Sequence, residues 1–323
     1  MNSIIWNCRG AGNKLFPGLI RDCKRMYNID FLAILVQRIS GDKASSVIRR
    51  LGFDDSFRVD AVGFSGGIWC LWKTTEVSIN VIHYSSSVIH LECKKANMHW
   101  IFSIVYASPQ EHLRSSLWTE LRDFSNSVSG PWCLGGDFNQ ALFAHEKRGG
   151  GAFNYVSSSR LLSCLNDCGL QDIGFKGPPF TWQRGELMVC LDRVVANSEW
   201  LLAFSQFSMI NIPLPSSDHT ALWLRLEVNR TVPRRYFKFL SPWLSHPDFS
   251  QQVRLSWQHS SNWTENMDRF TDNISAWNRD IFGNIFKNKR RILNRLDGIY
   301  RSLSSCYNPY LVELRQRIWD EYY

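Results

Sequence analysis

Seven side chains in this chain of 323 amino acids combine the right types with suggestive positions: Asn7, Tyr106, Asp137, Asn139, Asp192 and the adjacent Asp218-His219. Each stands at or just past the end of an apolar run. Carboxylates and histidine move protons, and carboxylate or carboxamide oxygens suit hard cations. The densest stretch is Trp132-Cys133-Leu134-Gly135-Gly136-Asp137-Phe138-Asn139. Its apolar start reads as a buried strand, and its two glycines mark a turn or a close approach. If the chain stays extended there, residues two apart point to the same side, and Asp137 and Asn139 share one face. Both types are poor strand formers, which favours a site over a sheet interior. An Asx turn closing the strand explains the pair equally well. The others also have structural readings: Asn7 as a turn cap, Tyr106 as a core aromatic, Asp192 with Arg193 as a surface ion pair, Asp218-His219 as a loop.

The elements that must position these residues follow from hydrophobic periodicity. Strands are expected at 3–7, 31–36, 68–72, 77–83, 87–93, 99–106, 132–137, 180–183, 191–196, 205–212 and 221–226. Helices are expected at 15–28, 43–51, 112–128 and 156–169. Strands follow one another at short intervals, with helices at about four places, which argues for two packed sheets with helices outside rather than strict strand–helix alternation. Residues 1–227 form that domain. A linker at 228–246 contains Pro233-Arg234-Arg235, and residues 247–323 are helical and basic, with tryptophans at 257, 263 and 277 and the run Lys287-Asn288-Lys289-Arg290-Arg291. The last helix candidate, 309–323, reaches Tyr323 without a cap, which reads as truncation or as continuation into a further segment.

Bulk properties narrow the function classes. No run of 18 apolar residues exists, so no membrane-spanning helix is expected, and the first residues lack the charged start and apolar core of a signal peptide. Nine scattered cysteines without a Cys-x-x-Cys motif point to reduced thiols in an intracellular protein. Cys164 and Cys168 read as the buried side of a helix rather than zinc ligands. The net charge of +8 divides into +2 over residues 1–227 and +6 over 228–323. A basic appendage favours polyanions, nucleic acid first, although solvated helix faces explain it nearly as well.

Taken together, Trp6-Asn7-Cys8-Arg9-Gly10, Val105-Tyr106, Gly136-Asp137-Phe138-Asn139, Leu191-Asp192-Arg193 and Ser217-Asp218-His219 resemble the endonuclease/exonuclease/phosphatase superfamily. They occur in that family's order and approximate spacing over residues 1 to about 226. Trp6–Gly10, Ser65-Gly66-Gly67-Ile68, Pro178-Pro179-Phe180-Thr181-Trp182 and Leu191–Arg193 narrow the likeness to the endonuclease segment of plant non-LTR (LINE-type) retrotransposons. The tail, including Trp277-Asn278 and Phe282-Gly283-Asn284-Ile285-Phe286, resembles what those polyproteins carry before a reverse transcriptase, which does not follow here. The resemblance is to a fragment or a degenerate copy.

The resemblance implies a four-layer α/β sandwich of two mixed sheets flanked by helices, with the site at strand ends along one edge. It implies a DNA endonuclease that hydrolyses phosphodiesters with Mg²⁺ or Mn²⁺ and is nuclear where functional. DNA is the expected partner, with retroelement RNA a further one through the basic tail. Asp137 would orient and deprotonate water, Asn139 would donate a hydrogen bond to phosphate, and Tyr106 would add a hydroxyl donor. A protonated His219, held by Asp192, would stabilise charge on the phosphoryl oxygens. Asn7 and Asp218 would be the oxygen ligands of the metal.

Two positions depart from the family. Where it places a metal-binding Glu at the end of the second strand, this chain has Val36, which offers no ligand. Gln37 would face the other way if the strand continued. Cys190 stands where the retroelement sequences commonly have Arg, which reads as a lost substrate contact. Activity is therefore expected to be weakened or lost. The competing readings are an inactive nucleic-acid-binding relic of the same fold and a small-molecule phosphoesterase.

Overall fold

The computed structural model describes residues 1–61, 66–214, 217–226, 243–244, 246–257, 262–277, 295, 308, 310–311, 313–314 and 317–318. The chain divides into two compact units, Met1–Thr231 and Val232–Tyr323.

The first unit is built on two six-stranded sheets. One contains β1 (Asn2–Asn7), β2 (Phe31–Leu35), β3 (Asp55–Val59) and β4 (Ile68–Trp72). The other begins with β5 (Ser78–Tyr84), β6 (Val88–Lys95), β7 (Met98–Tyr106) and β8 (Trp132–Asp137). Four short strands follow: β9 (Lys147–Arg148), β10 (Gln171–Asp172), β11 (Trp182–Arg184) and β12 (Leu187–Val189). The last three are β13 (Asp192–Ala196), β14 (Ser208–Ile212) and β15 (Ala221–Arg225). The first sheet runs β14-β15-β1-β2-β4-β3, the second β10-β13-β8-β7-β6-β5, and β11-β12-β9 forms a small third. Both large sheets are mixed, because β1–β2 and β7–β8 are parallel among antiparallel neighbours.

Alternation along each strand builds two kinds of core. Ile5, Ala33 and Leu35 of the first sheet meet Phe102, Ile104, Cys133 and Val194 of the second in one buried cluster between the sheets. The opposite faces of β1 and β2 present Ile4, Trp6, Leu32 and Ile34 to helices α1 (Phe16–Met26) and α2 (Gly41–Leu51). Helix α3 (Glu111–Ser125) covers the outer face of the second sheet, where Phe124 packs on His90 and Trp132, and α4 (Tyr155–Asp167) lies against α3. Helix–sheet–sheet–helix is the four-layer sandwich expected. The short strands β3, β9, β10 and β12, and helix α5 (Ser198–Ala203), were not legible. The three shortest of these strands have two or three residues and α5 is under two turns, too short for a period to register, and β3 carries only two apolar residues, Phe57 and Val59.

The second unit contains α6 (Phe249–Ser256) and α7 (Trp263–Trp277). Trp243, Phe249, Phe270, Ile274 and Trp277 form its small apolar cluster. Of the tryptophans expected there, Trp277 is buried, whereas Trp263 is exposed. The basic run 287–291 and the segment 282–286 lie outside the described residues. So does most of the helix expected at 309–323, although 310, 311, 313, 314, 317 and 318 are helical. No helix among the described residues is long and apolar enough to cross a membrane.

Candidate active site

Strand register assembles the site. β7 pairs in parallel with β8 so that Tyr106 lies opposite Asp137, and β13 pairs antiparallel with β8 so that Asp192 lies opposite Asp137. Paired residues share a face, so Tyr106, Asp137 and Asp192 form one row at the rim of the inter-sheet core. The two glycines before Asp137 are required by close approach. A Cβ on Gly136, whose φ is +151°, would lie 1.9 Å from the Val105 carbonyl oxygen, and one on Gly135 would lie 2.3 Å from Ile5 Cδ1. From the other sheet, β1 brings Asn7 to the same end, paired with Leu35 of β2.

Asp137 is fully buried and its carboxylate accepts three hydrogen bonds, from Asn7 and twice from Asn139. Asn7 Nδ2 donates to Oδ2 at 2.8 Å, and the Asn139 backbone N–H donates to Oδ1 at 2.8 Å. The second contact is an Asx turn. Of the two readings of this stretch, the turn is the backbone geometry observed. The strand ends at Asp137, Asn139 adopts φ +47°, and the turn folds the carboxamide back onto the carboxylate instead of extending it along a shared face. Asn139 Nδ2 donates to the Ala107 carbonyl at 2.7 Å and to Asp137 Oδ2 at 3.2 Å. Its amide hydrogens are spent on protein acceptors, so the expected donation to phosphate has no donor in this arrangement.

His219 reaches the same cluster from the loop before β15. Its Nδ1 lies 2.8 Å from Asp192 Oδ2, and its Nε2 lies 3.4 Å from Asn7 Nδ2. Backbone contacts hold the ring in place. Trp6 Nε1 donates to the His219 carbonyl, Ser217 Oγ donates to the Asn7 carbonyl, and the His219 N–H donates to Ser217 Oγ. Asp192 is set by its own N–H donating to Thr181 Oγ1 at 2.9 Å. Tyr106 is nearly buried at the end of β7.

Burial and charge oppose one another in the cluster. Burial, followed by the nearby Asp192 charge, pushes the Asp137 carboxyl up to about 7 against the opposing pull of His219 and its hydrogen bonds. Burial alone would lower His219, but the charge and hydrogen bond of Asp192, then Asp137 and Asp218, outweigh it and raise the imidazole to about 9. At neutral pH the imidazole is therefore a cation.

The oxygen atoms present fit a divalent cation. Asp137, Asp192 and His219 offer ligand atoms within 4.8 Å of one another. His219 Nδ1 is already committed to Asp192, so the more open oxygens are those of the two residues expected as ligands. Asp218 Oδ1 is a buried oxygen with no hydrogen-bond partner among the described residues. Asn7 Oδ1 accepts only the Arg9 backbone N–H, at 3.3 Å. One carboxylate with a neutral oxygen is within the usual complement for Mg²⁺. β2 adds nothing: Val36 is buried in the inter-sheet core at φ +57°. The chain turns there instead of continuing as a strand, and the buried Gln37 carboxamide folds back to donate to the Ile34 carbonyl.

Several contributors escaped sequence reasoning. Arg9 Nη1 and Trp182 Nε1 both donate to Asp218 Oδ2, at 3.0 and 2.9 Å. Arg193 is not a surface partner of Asp192. It is buried and pairs with Glu146 and Asp172, each at 2.7 Å. Cys190 is 1% exposed beside it. A cleft of about 700 Å³ opens beside His219, walled by Pro179, Phe180, Trp182, Met188 and Leu214. The motif Pro178–Trp182 was the one sequence signal for it.

The family described as endonuclease/exonuclease/phosphatase matches residues 27–219. No curated protein matches the chain. Among solved structures, the endonuclease domain of TRAS1, a telomere-specific non-LTR retrotransposon, is similar with a TM-score of 0.56 at 11% identity, covering 70% of this chain and 97% of that one. The AP endonuclease LMAP from Leishmania major gives a TM-score of 0.57 at 15% identity over 69% of this chain and 86% of that one. The 3'-5' exonuclease NExo from Neisseria meningitidis gives 0.54 at 17% identity over 70% and 99%. At these identities the likeness is one of fold.

Proposed function

Because this chain belongs to the endonuclease/exonuclease/phosphatase family, we propose that it hydrolyses phosphodiester bonds in DNA with the help of a divalent cation, as the endonuclease unit of a retroelement. The observation that carries the reading is the buried Asp137–Asn7–His219–Asp192 cluster at the rim of the two sheets. A buried carboxyl that can take a proton, beside an imidazole held by a second carboxylate, suits general-base hydrolysis of an anionic ester.

Asp137, fixed by Asn7 and the Asn139 turn, takes the proton of a water as its oxygen bonds to phosphorus. The opposite ester oxygen departs and takes a proton from solvent water, leaving a phosphate monoester and a free hydroxyl. His219 directs Nε2 at the non-bridging oxygens, while Asp192 keeps the ring oriented and charged. Tyr106 supports the phosphate from the same row. A divalent cation held by Asp218 and Asn7 would supply Lewis acidity at the phosphoryl oxygens. The aromatic and proline wall beside His219 suits a nucleic-acid chain.

Purified chain should nick supercoiled plasmid with Mg²⁺ or Mn²⁺, and Asp137→Ala or His219→Ala should each lower the rate by about 10²–10³-fold. Nicking that survives both substitutions would overturn this assignment. The second reading, a nucleic-acid-binding protein without chemistry, is favoured by one observation, the valine at position 36. Salt-dependent DNA binding without any metal-dependent nicking would select it.

A further inference from the structure

The cysteines take no part in the chemistry above, and their environments differ. Of the eight described, seven are buried and Cys168 alone is partly exposed. Burial pushes the thiols of Cys8 and Cys190 up to about 12 and raises those of Cys70, Cys93 and Cys133, which leaves them without thiolate at neutral pH. Cys168 closes α4 as its C-cap, one turn after Cys164. Its N–H donates to the Cys164 carbonyl at 3.0 Å, so the two side chains share a helix face. Their thiols hydrogen-bond to each other. Helix α3 supplies the other neighbours: Ser125 hydrogen-bonds the Cys168 sulfur, and the Arg122 charge reaches it. Arg122 is held in place by donating from Nε to Asp167 at 2.9 Å. The hydrogen bond from Cys164, then that of Ser125 and the Arg122 charge, hold the Cys168 thiol below its ordinary range against burial and the Asp167 charge. The same bond, followed by burial, pushes the Cys164 thiol up. Cys164 Sγ also lies 3.5 Å from the Trp118 carbonyl, so its one proton has an acceptor there and turns to Cys168 when that sulfur is charged. The pair is split: one thiol gives up its proton readily and the other keeps its own.

We propose that Cys164 and Cys168 form a reversible redox pair, in which Cys168 reacts with hydroperoxides and Cys164 resolves the product. The Cys168 thiolate attacks one oxygen of hydrogen peroxide, the O–O bond breaks, and hydroxide leaves and is protonated to water, giving a sulfenic acid. The Cys164 sulfur then bonds to the Cys168 sulfur, and its proton departs with the hydroxyl as a second water. Peroxide is reduced, and two thiols are oxidised to one disulfide. Four residues at a rise of ~1.5 Å place the two α-carbons about 6 Å apart, inside the ~4.4–6.8 Å span of a disulfide. Cys168 is the terminal residue of the helix, and Gly169 beyond it already adopts φ +67°. Closing the bridge therefore adjusts the last turn of α4 rather than a helix interior.

The reduced full chain is treated with hydrogen peroxide, blocked with N-ethylmaleimide in denaturant and cleaved with trypsin. Residues 161–176 then form one peptide that carries both cysteines and no other. In the wild type this peptide should become two hydrogens lighter and unlabelled, about tenfold faster than the buried cysteines are lost, and dithiothreitol should restore both labels. Cys168→Ser should leave Cys164 labelled throughout. Cys164→Ala, matched to wild type by circular dichroism, should stop at the sulfenic acid, trapped by dimedone on Cys168. In that variant alkylation of Cys168 by iodoacetamide should also need a higher pH to reach half its maximal rate, because a donor to the thiolate is gone. Loss of Cys168 no faster than the buried thiols would overturn the proposal. So would a dimedone adduct without a disulfide in the wild type, or a disulfide that joins two chains through Cys168.

Discussion

At the scale of single residues, the site is a competition between burial and charge. Asp137 is raised to about 7 and His219 to about 9, so both bind protons more tightly folded than unfolded. For a raised group, the stabilisation is complete below the unfolded value and is lost as pH climbs through the folded one. The window therefore runs from the ordinary carboxyl value of 3.8 to about 7 for Asp137, and from 6.5 to about 9 for His219. In EDTA the melting temperature should fall as pH rises from 6.5 to 9, and His219→Gln should flatten the upper part of that decline. Position 36 gives a second residue-level expectation. A glutamate there would bury an unpaired charge in the inter-sheet core, a penalty of several kcal/mol that a bound cation would offset. Val36→Glu should lower the melting temperature in EDTA, recover with Mn²⁺, and bind Mn²⁺ more tightly by calorimetry. A variant with folding intact and no gain in Mn²⁺ affinity would show that the valine does not limit metal binding.

At the scale of elements, the site depends on how closely β8 lies to its neighbours. A Cβ at Gly136 meets backbone at 1.9 Å, whereas one at Gly135 meets the flexible end of Ile5. Gly136→Ala should therefore cost about 3 kcal/mol or more, and Gly135→Ala about 1–3 kcal/mol by overpacking. Urea unfolding checks the ranking. β13 is anchored on its outer face by Arg193, whose buried guanidinium joins Glu146 of the segment before β9 to Asp172 of β10. Removing one member of a buried ion pair strands the others, so Arg193→Ala should destabilise by about 3–5 kcal/mol.

At the scale of the molecule, the chain separates into the sandwich and a helical segment with its own small aromatic cluster. The positive charge lies mostly in the second. We propose that residues 1–231 fold alone and carry the hydrolytic site, while the remainder adds sequence-independent affinity for polyanions. The fragment should unfold in one cooperative transition by calorimetry. It should bind duplex DNA with a shallower salt dependence than the full chain, because fewer counterions are released.

The sequence by itself determined the layers and named the candidates for the site. Long apolar runs with period two or 3.6 leave little choice of element, and Asn7, Tyr106, Asp137, Asn139, Asp192, Asp218 and His219 could each be named from their positions at strand ends. What those residues do to one another was decided only by tertiary structure. Whether Asn139 extended along the face of Asp137 or folded back in an Asx turn hung on a single backbone angle, and the +47° at Asn139 made it the turn, with the carboxamide spent on Asp137 and Ala107. Likewise, adjacency in sequence joined Asp192 to Arg193, but strand alternation sends them to opposite faces, one to His219 and the other to Glu146 and Asp172. Hydrogen bonds and proton affinities depend on distances of a few ångströms between residues 130 and 212 positions apart, such as Asn7 with Asp137 and with His219. Local pattern carries no record of such distances.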